Sequence, residues 1–125
     1  MLLDTCALLW LAAGGAQLSA RARAAIERAP ALYVSAVTGF EVGVKVSKGK
    51  LVLPARPADW FDGVLRQHGI EVVPLDLATC LLATELPAVH ADPCDRFIIA
   101  TARRHQLAIV TADSRFRDYS VEVVW

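Results

Sequence analysis

The sequence is poor in the residues that would tie a small chain together covalently or through zinc. Cysteine occurs three times in 125 residues, at Cys6, Cys80 and Cys94. The number is odd, the spacing is wide and no CxxC or Cys/His pattern occurs, so neither a disulfide framework nor a zinc site is indicated. Buried, reduced thiols in a cytoplasmic protein are the expectation. An excess of one charge is also missing: thirteen Lys and Arg balance thirteen Asp and Glu. That removes the bulk electrostatic case for nucleic-acid binding, and no aromatic pattern of the RRM type replaces it. A membrane-length apolar run is absent as well. The opening MLLDTCALLWLAAGGAQLSA superficially resembles a signal peptide, but it has no basic n-region and Asp4 interrupts it early. The apolar segment after Asp4 is too short to span a bilayer, so the chain is read as mature and soluble. No repeat, linker or low-complexity tract occurs, and the length suits one domain over residues 1–125.

Apolar residues, in contrast, make up 55% of the chain, above the usual share for a soluble domain. Abundant alanine accounts for part of this. Apolar surface reserved for a partner or a second copy is the favoured account of the rest. The pattern alternates short apolar strands with helices. Met1 to Leu3 is a strand ending at Asp4-Thr5, followed by a helix over Ala7 to Ala13 and a Gly14-Gly15 stop. Ser19 caps a helix halted by Pro30, and Leu32 to Ser35 is a second strand. The stretch AVTGFEVGVKVSK mixes signals, since its valines favour strand. The spacing of Val37, Phe40/Glu41, Val44 and Lys48 fits one helix face, and helix is preferred. Further on, Leu51 to Pro54 is extended, Pro57 to Arg66 helical with a Gly69 stop, and Ile70 to Leu75 a third strand. Asp76 caps a helix to about Leu86, and Pro87 to His90 is a loop. The stretch DPCDRFIIATARRHQLAIVTAD then supplies a helix and a fourth strand. Arg115 to Arg117 is a turn, and Val121 to Trp125 a last strand. Such alternation implies βαβ units, a mainly parallel sheet and helices on both faces.

Four carboxylates stand out. Asp4 ends the first strand, Glu41 lies on the helix after the second, Asp95 sits in the first turn of its helix, and Asp113 ends the fourth strand. In a parallel sheet the carboxyl ends of the strands lie on one edge, where α/β proteins bind ligands. The four acids can therefore converge. Gathered anions repel and persist only beside cations, and all-oxygen ligation suits Mg²⁺ or Mn²⁺. Each acid also has a plainer reading: Asp4, Asp76 and Asp92 as helix caps, Glu41 as a solvated helix residue, Asp113 as a turn opener. With four acids assigned to metal, nine face thirteen bases, so a phosphate-bearing substrate is not excluded by the neutral total.

The co-occurrence of these blocks is where a family resemblance emerges. LLDTCALLW at 2–10, SAVTGFEVGVKVSKGKLVL at 35–53, HADPCDRFIIATA at 90–102 and VTADSRF at 110–116 stand in the order of a PIN-domain protein. The chain resembles the VapC-type toxins of toxin–antitoxin pairs over nearly its whole length. The resemblance implies a PIN-like three-layer sandwich and a metal-dependent endoribonuclease that acts on structured RNA such as tRNA or rRNA. By position Asp4, Glu41, Asp95 and Asp113 match the family's acidic quartet, and Asp92 matches the first acid of the DPFDR block. Cys6 stands where many relatives have His and Cys94 where they have Phe, leaving the quartet intact. The resemblance also implies a VapB-type antitoxin that lays an apolar segment along the nuclease, and a homodimer.

Other residues are assigned around that core. Thr5 and Thr111 are placed to hydrogen-bond the acids. Lys45, Lys48, Lys50, Arg21, Arg23, Arg103 and Arg104 are candidate cations for RNA, and Arg96 is expected to pair with a neighbouring acid. Trp10, Leu11, Trp60 and Phe61 are candidates for the antitoxin groove. Two rivals remain. A receiver-like signalling domain also has acids at strand ends, but Asp4 is followed by Thr5 and no lysine follows Lys50. A catalytically idle PIN scaffold that only binds RNA or protein keeps the fold without the reaction.

Overall fold

The computed structural model describes residues 1–125. In chain order its elements are β1 (Leu2–Leu3), α1 (Thr5–Ala12), α2 (Ala20–Arg28), β2 (Leu32–Ser35), α3 (Ala36–Ser47), α4 (Pro57–His68), β3 (Ile70–Val73), α5 (Leu77–Glu85), α6 (Pro93–His105), β4 (Ile109–Val110), a 3₁₀ segment (Ser114–Tyr119) and β5 (Val123–Val124). The five strands form one sheet in the order β3-β2-β1-β4-β5. Every pairing is parallel, with Leu3 opposite Val34 on one side and Val110 on the other. The sheet is therefore fully parallel, a stricter arrangement than the mainly parallel one expected. A receiver-like domain of the flavodoxin type would show the order 2-1-3-4-5, so the topology excludes that rival.

Strand alternation builds the three layers. Successive side chains point to opposite faces, so Leu2 and Ile109 enter one core while Leu3 and Val110 enter the other. The first core collects Val37 of α3, Ala83 of α5, Ile98 and Ile99 of α6, and Phe116 and Tyr119. The second collects Leu8 of α1, Ile26 of α2, and Trp60 and Val64 of α4. Because Leu2, Leu3, Ile98 and Ile99 are completely buried, truncating any of them to alanine would cost about 2–5 kcal/mol.

Side-chain caps set the helix starts. Asp4, Ser19, Asp76 and Asp92 each accept a backbone N–H from the first turn of the following helix. The cap on Asp4 starts the first helix at Thr5, two residues before the expected Ala7. Proline ends β3 early: Val73 is its last residue, since Pro74 has no N–H to continue the ladder. The expected turn at Arg115 to Arg117 belongs to the 3₁₀ segment, which buries Phe116 and Tyr119.

Two further expectations are corrected. Arg96 does not pair with an acid. Its guanidinium donates to the carbonyls of Ala83 at 3.0 Å, Leu86 at 2.7 Å, Pro87 at 2.8 Å and His90 at 3.3 Å. These carbonyls lie in the last turn of α5 and in the connection to α6, where no ladder satisfies them, and the five donors of an arginine fork meet that need. The cysteines are not buried: Cys6 is exposed, and Cys80 and Cys94 are half-buried. No helix is long and apolar enough to cross a membrane.

Candidate functional site

The strand order reverses between β1 and β4, and the crevice outside such a switch point is where open α/β sheets bind ligands. Here the residues leaving those two strands are Asp4 and Thr111. The backbone N–H of Asp4 bonds Val110 O at 3.1 Å, which ties the first acid to the neighbouring strand. A cavity of about 430 Å³ opens at this edge, and Asp4, Glu41, Asp92, Asp95 and Asp113 all line it. The four acids expected to converge do share one cavity, joined by Asp92.

Each acid is held differently. Asp4 is buried, and its Oδ1 accepts the N–H of Ala7 at 2.7 Å. Cap and cavity residue are thus one side chain. Burial raises its pKa, with Glu41 and Asp113 adding to the rise, while hydrogen bonding to Thr111 and Ala7 works against it. Glu41 has both oxygens engaged: Thr5 Oγ1 donates to Oε2 at 2.7 Å, and Lys45 Nζ stands 3.3 Å from Oε1. Asp113 is chelated by Arg115, whose Nε donates to Oδ1 at 3.0 Å and Nη2 to Oδ2 at 2.8 Å. That fork holds the Asp113 carboxyl below its ordinary range. Asp95 has no such partner. Burial, then the charges of Asp92, Glu41, Asp4 and Asp113, push it up to about 7. Among lysines and arginines, none pairs with Asp4, Asp92 or Asp95.

The surrounding residues divide into those the sequence pointed to and those it did not. Thr5 bonds Glu41, and Thr111 accepts the N–H of Asp113 at 3.1 Å. Asp92 caps α6 through the Cys94 N–H at 2.9 Å and also faces the cavity. Of the seven candidate cations, only Lys45 lines the cavity. Arg23 donates to Gly15 O, Arg104 pairs with Asp76, and Arg103 lines a separate hollow beside the residues that lead into β4 and β5. Sequence reasoning missed Arg115 and His90. Arg115 follows Asp113 by two residues, a spacing that signals a turn rather than an ion pair. His90 lies in the loop before α6, yet it is 4% exposed. Its Nδ1 lies 3.5 Å from Asp95 Oδ2 and its Nε2 3.3 Å from Asp113 Oδ2. Burial lowers its pKa. The only signal for it was its place at the head of the HADPCDR block.

Beside the acidic cavity runs an apolar groove of about 460 Å³ lined by Leu9, Trp10, Leu51, Val52, Leu53 and Trp60. Trp10 borders both. Two of the four apolar candidates line this groove. Phe61 packs edge-on against Trp60 and lines another hollow, and Leu11 packs in the second core.

The PIN domain model matches residues 1–122. Ribonuclease VapC22 of Mycobacterium tuberculosis is 32% identical over 120 residues, which is 95% of this chain and 91% of the relative. Among solved structures, a toxin–antitoxin complex from Klebsiella pneumoniae has a TM-score of 0.68 at 21% identity, covering 99% of this chain and 95% of that one. The VapBC2 structure from Rickettsia felis, bound to a promoter DNA fragment, has a TM-score of 0.70 at 14% identity, covering 98% and 95%. Sequence blocks, sheet order and these matches agree, and the chain belongs to the PIN-domain family, in its VapC type.

Proposed function

We infer that this chain is a divalent-metal-dependent endoribonuclease, the toxin of a VapBC-type pair, acting in the cytoplasm as one PIN domain over residues 1–125. One observation carries the reading: four carboxylates of the family's quartet line a single cavity, and two of them, Asp4 and Asp95, have no lysine or arginine partner. The donor set fits a hard ion. The acids that line the cavity offer carboxylate oxygen, which suits Mg²⁺ or Mn²⁺; Asp95 and Asp113, with His90 behind them, already have ligand atoms within 4.8 Å of one another, and the raised pKa values of Asp4 and Asp95 mark where positive charge is wanted.

In this reading Asp4, Glu41 and Asp95 would hold the ion, with Asp113 beside them. When bound, such an ion polarises water and offsets charge on the scissile phosphate. Thr5 holds the rotamer of Glu41, and Thr111 accepts the N–H of Asp113. Lys45 and Arg115 sit beside the acids with long, mobile stems and are the cations available to a phosphate. In-line attack of water on phosphorus breaks the bond to the 3′ oxygen and leaves 5′-phosphate and 3′-hydroxyl ends. Structured RNA such as tRNA or rRNA is the substrate class.

The apolar groove supports a VapB-type antitoxin partner. A segment lying there reaches the acids across Trp10, and an arginine it carries would be held strongly by the carboxylates. The exposed apolar side chains Phe40, Val72, Leu77 and Leu81 fit a homodimer.

RNA cleavage tests the reading. The purified protein should cut RNA with Mg²⁺ or Mn²⁺ and stop with EDTA, and Asp95→Asn should be inactive. Its expression should arrest growth, relieved by the product of a neighbouring open reading frame. If Asp4→Asn and Asp95→Asn cut as fast as the parent, the nuclease reading fails and the idle-scaffold alternative takes its place.

A further inference from the structure

His90 occupies a place that no part of the reaction described so far requires. Its ring does not line the acidic cavity; it stands behind two of the cavity's acids, with one nitrogen toward each. The Nε2 atom is buried without a hydrogen-bond partner. Buried polar atoms rarely go unsatisfied, and such an exception calls for an account.

The ring is also held with unusual thoroughness for a loop residue. Phe116 meets it edge-on at 5.1 Å and Tyr119 stacks on it at 6.0 Å. Its backbone N–H donates to the Tyr119 hydroxyl, and its carbonyl accepts from Arg96. Arg96 fixes the preceding carbonyls of Leu86 and Pro87 as well. A set of constraints from α6 and the 3₁₀ segment thus converges on one imidazole.

We propose that His90 is a positioning residue whose imidazole sets the separation and orientation of the Asp95 and Asp113 carboxylates, so that they present oxygen to a divalent cation in the cavity. The proposal rests on the metal-site reading above. Nε2 makes no hydrogen bond in this arrangement, so the ring bears on the two carboxylates through close contact rather than through a fixed N–H. At 3.5 Å and 3.3 Å the contacts are longer than good hydrogen bonds, which suits a stop that limits carboxylate rotation. Ligating side chains are commonly oriented this way by a second layer of groups, and losing such a group typically costs about 10–100-fold in metal affinity.

The test is Mn²⁺ binding to the full-length protein by titration calorimetry, with melting temperatures recorded beside it. His90→Phe keeps a ring between Phe116 and Tyr119 but removes both nitrogens. It should weaken Mn²⁺ binding by about 10-fold or more while the protein remains folded. His90→Asn and His90→Gln, each restoring a polar group toward one acid, should recover part of the loss. Wild-type affinity in His90→Phe overturns the proposal and leaves the metal site standing. Absence of Mn²⁺ binding by the wild type overturns both. Nitrogen-15 spectra of the wild-type histidine rings give an answer that needs no variant. On adding Mg²⁺ the His90 resonances should move while those of His68 and His105 stay, and unmoved His90 resonances overturn the proposal.

Discussion

The acidic cavity has two unlike halves. Glu41 and Asp113 are each neutralised by a neighbour, Lys45 at 3.3 Å and Arg115 at 2.8 Å. Asp4 and Asp95 face the same space with no lysine or arginine, and both are pushed toward the protonated form. The first half resembles ordinary surface chemistry, where exposed ion pairs contribute little. The second half is a local cost to the fold, of the kind retained where function requires it. Local placement explains the difference. Asp4 is held by the sheet and by its cap on α1, and Asp95 stands in the first turn of α6 beside an Arg96 already committed to carbonyls. Glu41 has a longer side chain on a helix face, and Asp113 opens a 3₁₀ segment that brings Arg115 back to it.

The largest expected consequence is on catalysis. Asp4→Asn and Asp95→Asn keep shape, and Asn caps a helix as well as Asp. Each should still lower RNA cleavage by about a hundredfold or more, the scale of losing one electrostatic stabiliser, measured by single-turnover cleavage of a labelled RNA. The second consequence is on stability. An Asp95 pKa raised to about 7 means that the folded state binds more protons than the unfolded state from about pH 4 up to that value. Metal-free stability therefore falls as pH rises through this window and is lowest above pH 7. Thermal melts from pH 5 to 8 should show the decline. Asp95→Asn should flatten it and melt higher at pH 8 by about 3 °C or more, and equal slopes would erase the distinction between the halves.

Smaller effects come from the neutralised half. Removing the competing cation in Arg115→Ala or Lys45→Ala frees Asp113 or Glu41. Mn²⁺ affinity should rise by about two- to fivefold, the worth of an exposed pair, while RNA binding weakens. Calorimetry and a filter-binding assay read the two changes separately. The smallest effect is expected of Asp92→Asn. The α6 cap survives, so stability should change by less than about 0.5 kcal/mol. Asp92 is the largest charged contributor to the raised Asp95 pKa, so the Asp95 titration followed by NMR should move to lower pH.

Much of this was legible in the sequence because it rests on local signals. Asp4 closing an apolar run, Asp92 opening a helix, and the helical spacing of Val37, Phe40/Glu41, Val44 and Lys48 each announce an element, and a parallel sheet places their ends on one edge. The valine-rich stretch read as a helix is one: α3 spans Ala36–Ser47. What the sequence concealed depends on tertiary proximity. His90 precedes Asp113 by more than twenty residues and reaches it only because α6 and β4 fold the chain back. Arg96 carries an acid one residue before it, yet its fork answers the unpaired carbonyls of a loop. The arrest of β3 at Val73, short of the expected Leu75, follows from the missing N–H of Pro74.

A thermal melt with and without metal at pH 8 probes the central claim most directly. If the unpaired acids form a cation site, millimolar Mn²⁺ or Mg²⁺ should raise the melting temperature of the wild type in a concentration-dependent way and leave Asp95→Asn unmoved. Superimposable wild-type curves with metal and with EDTA would contradict it.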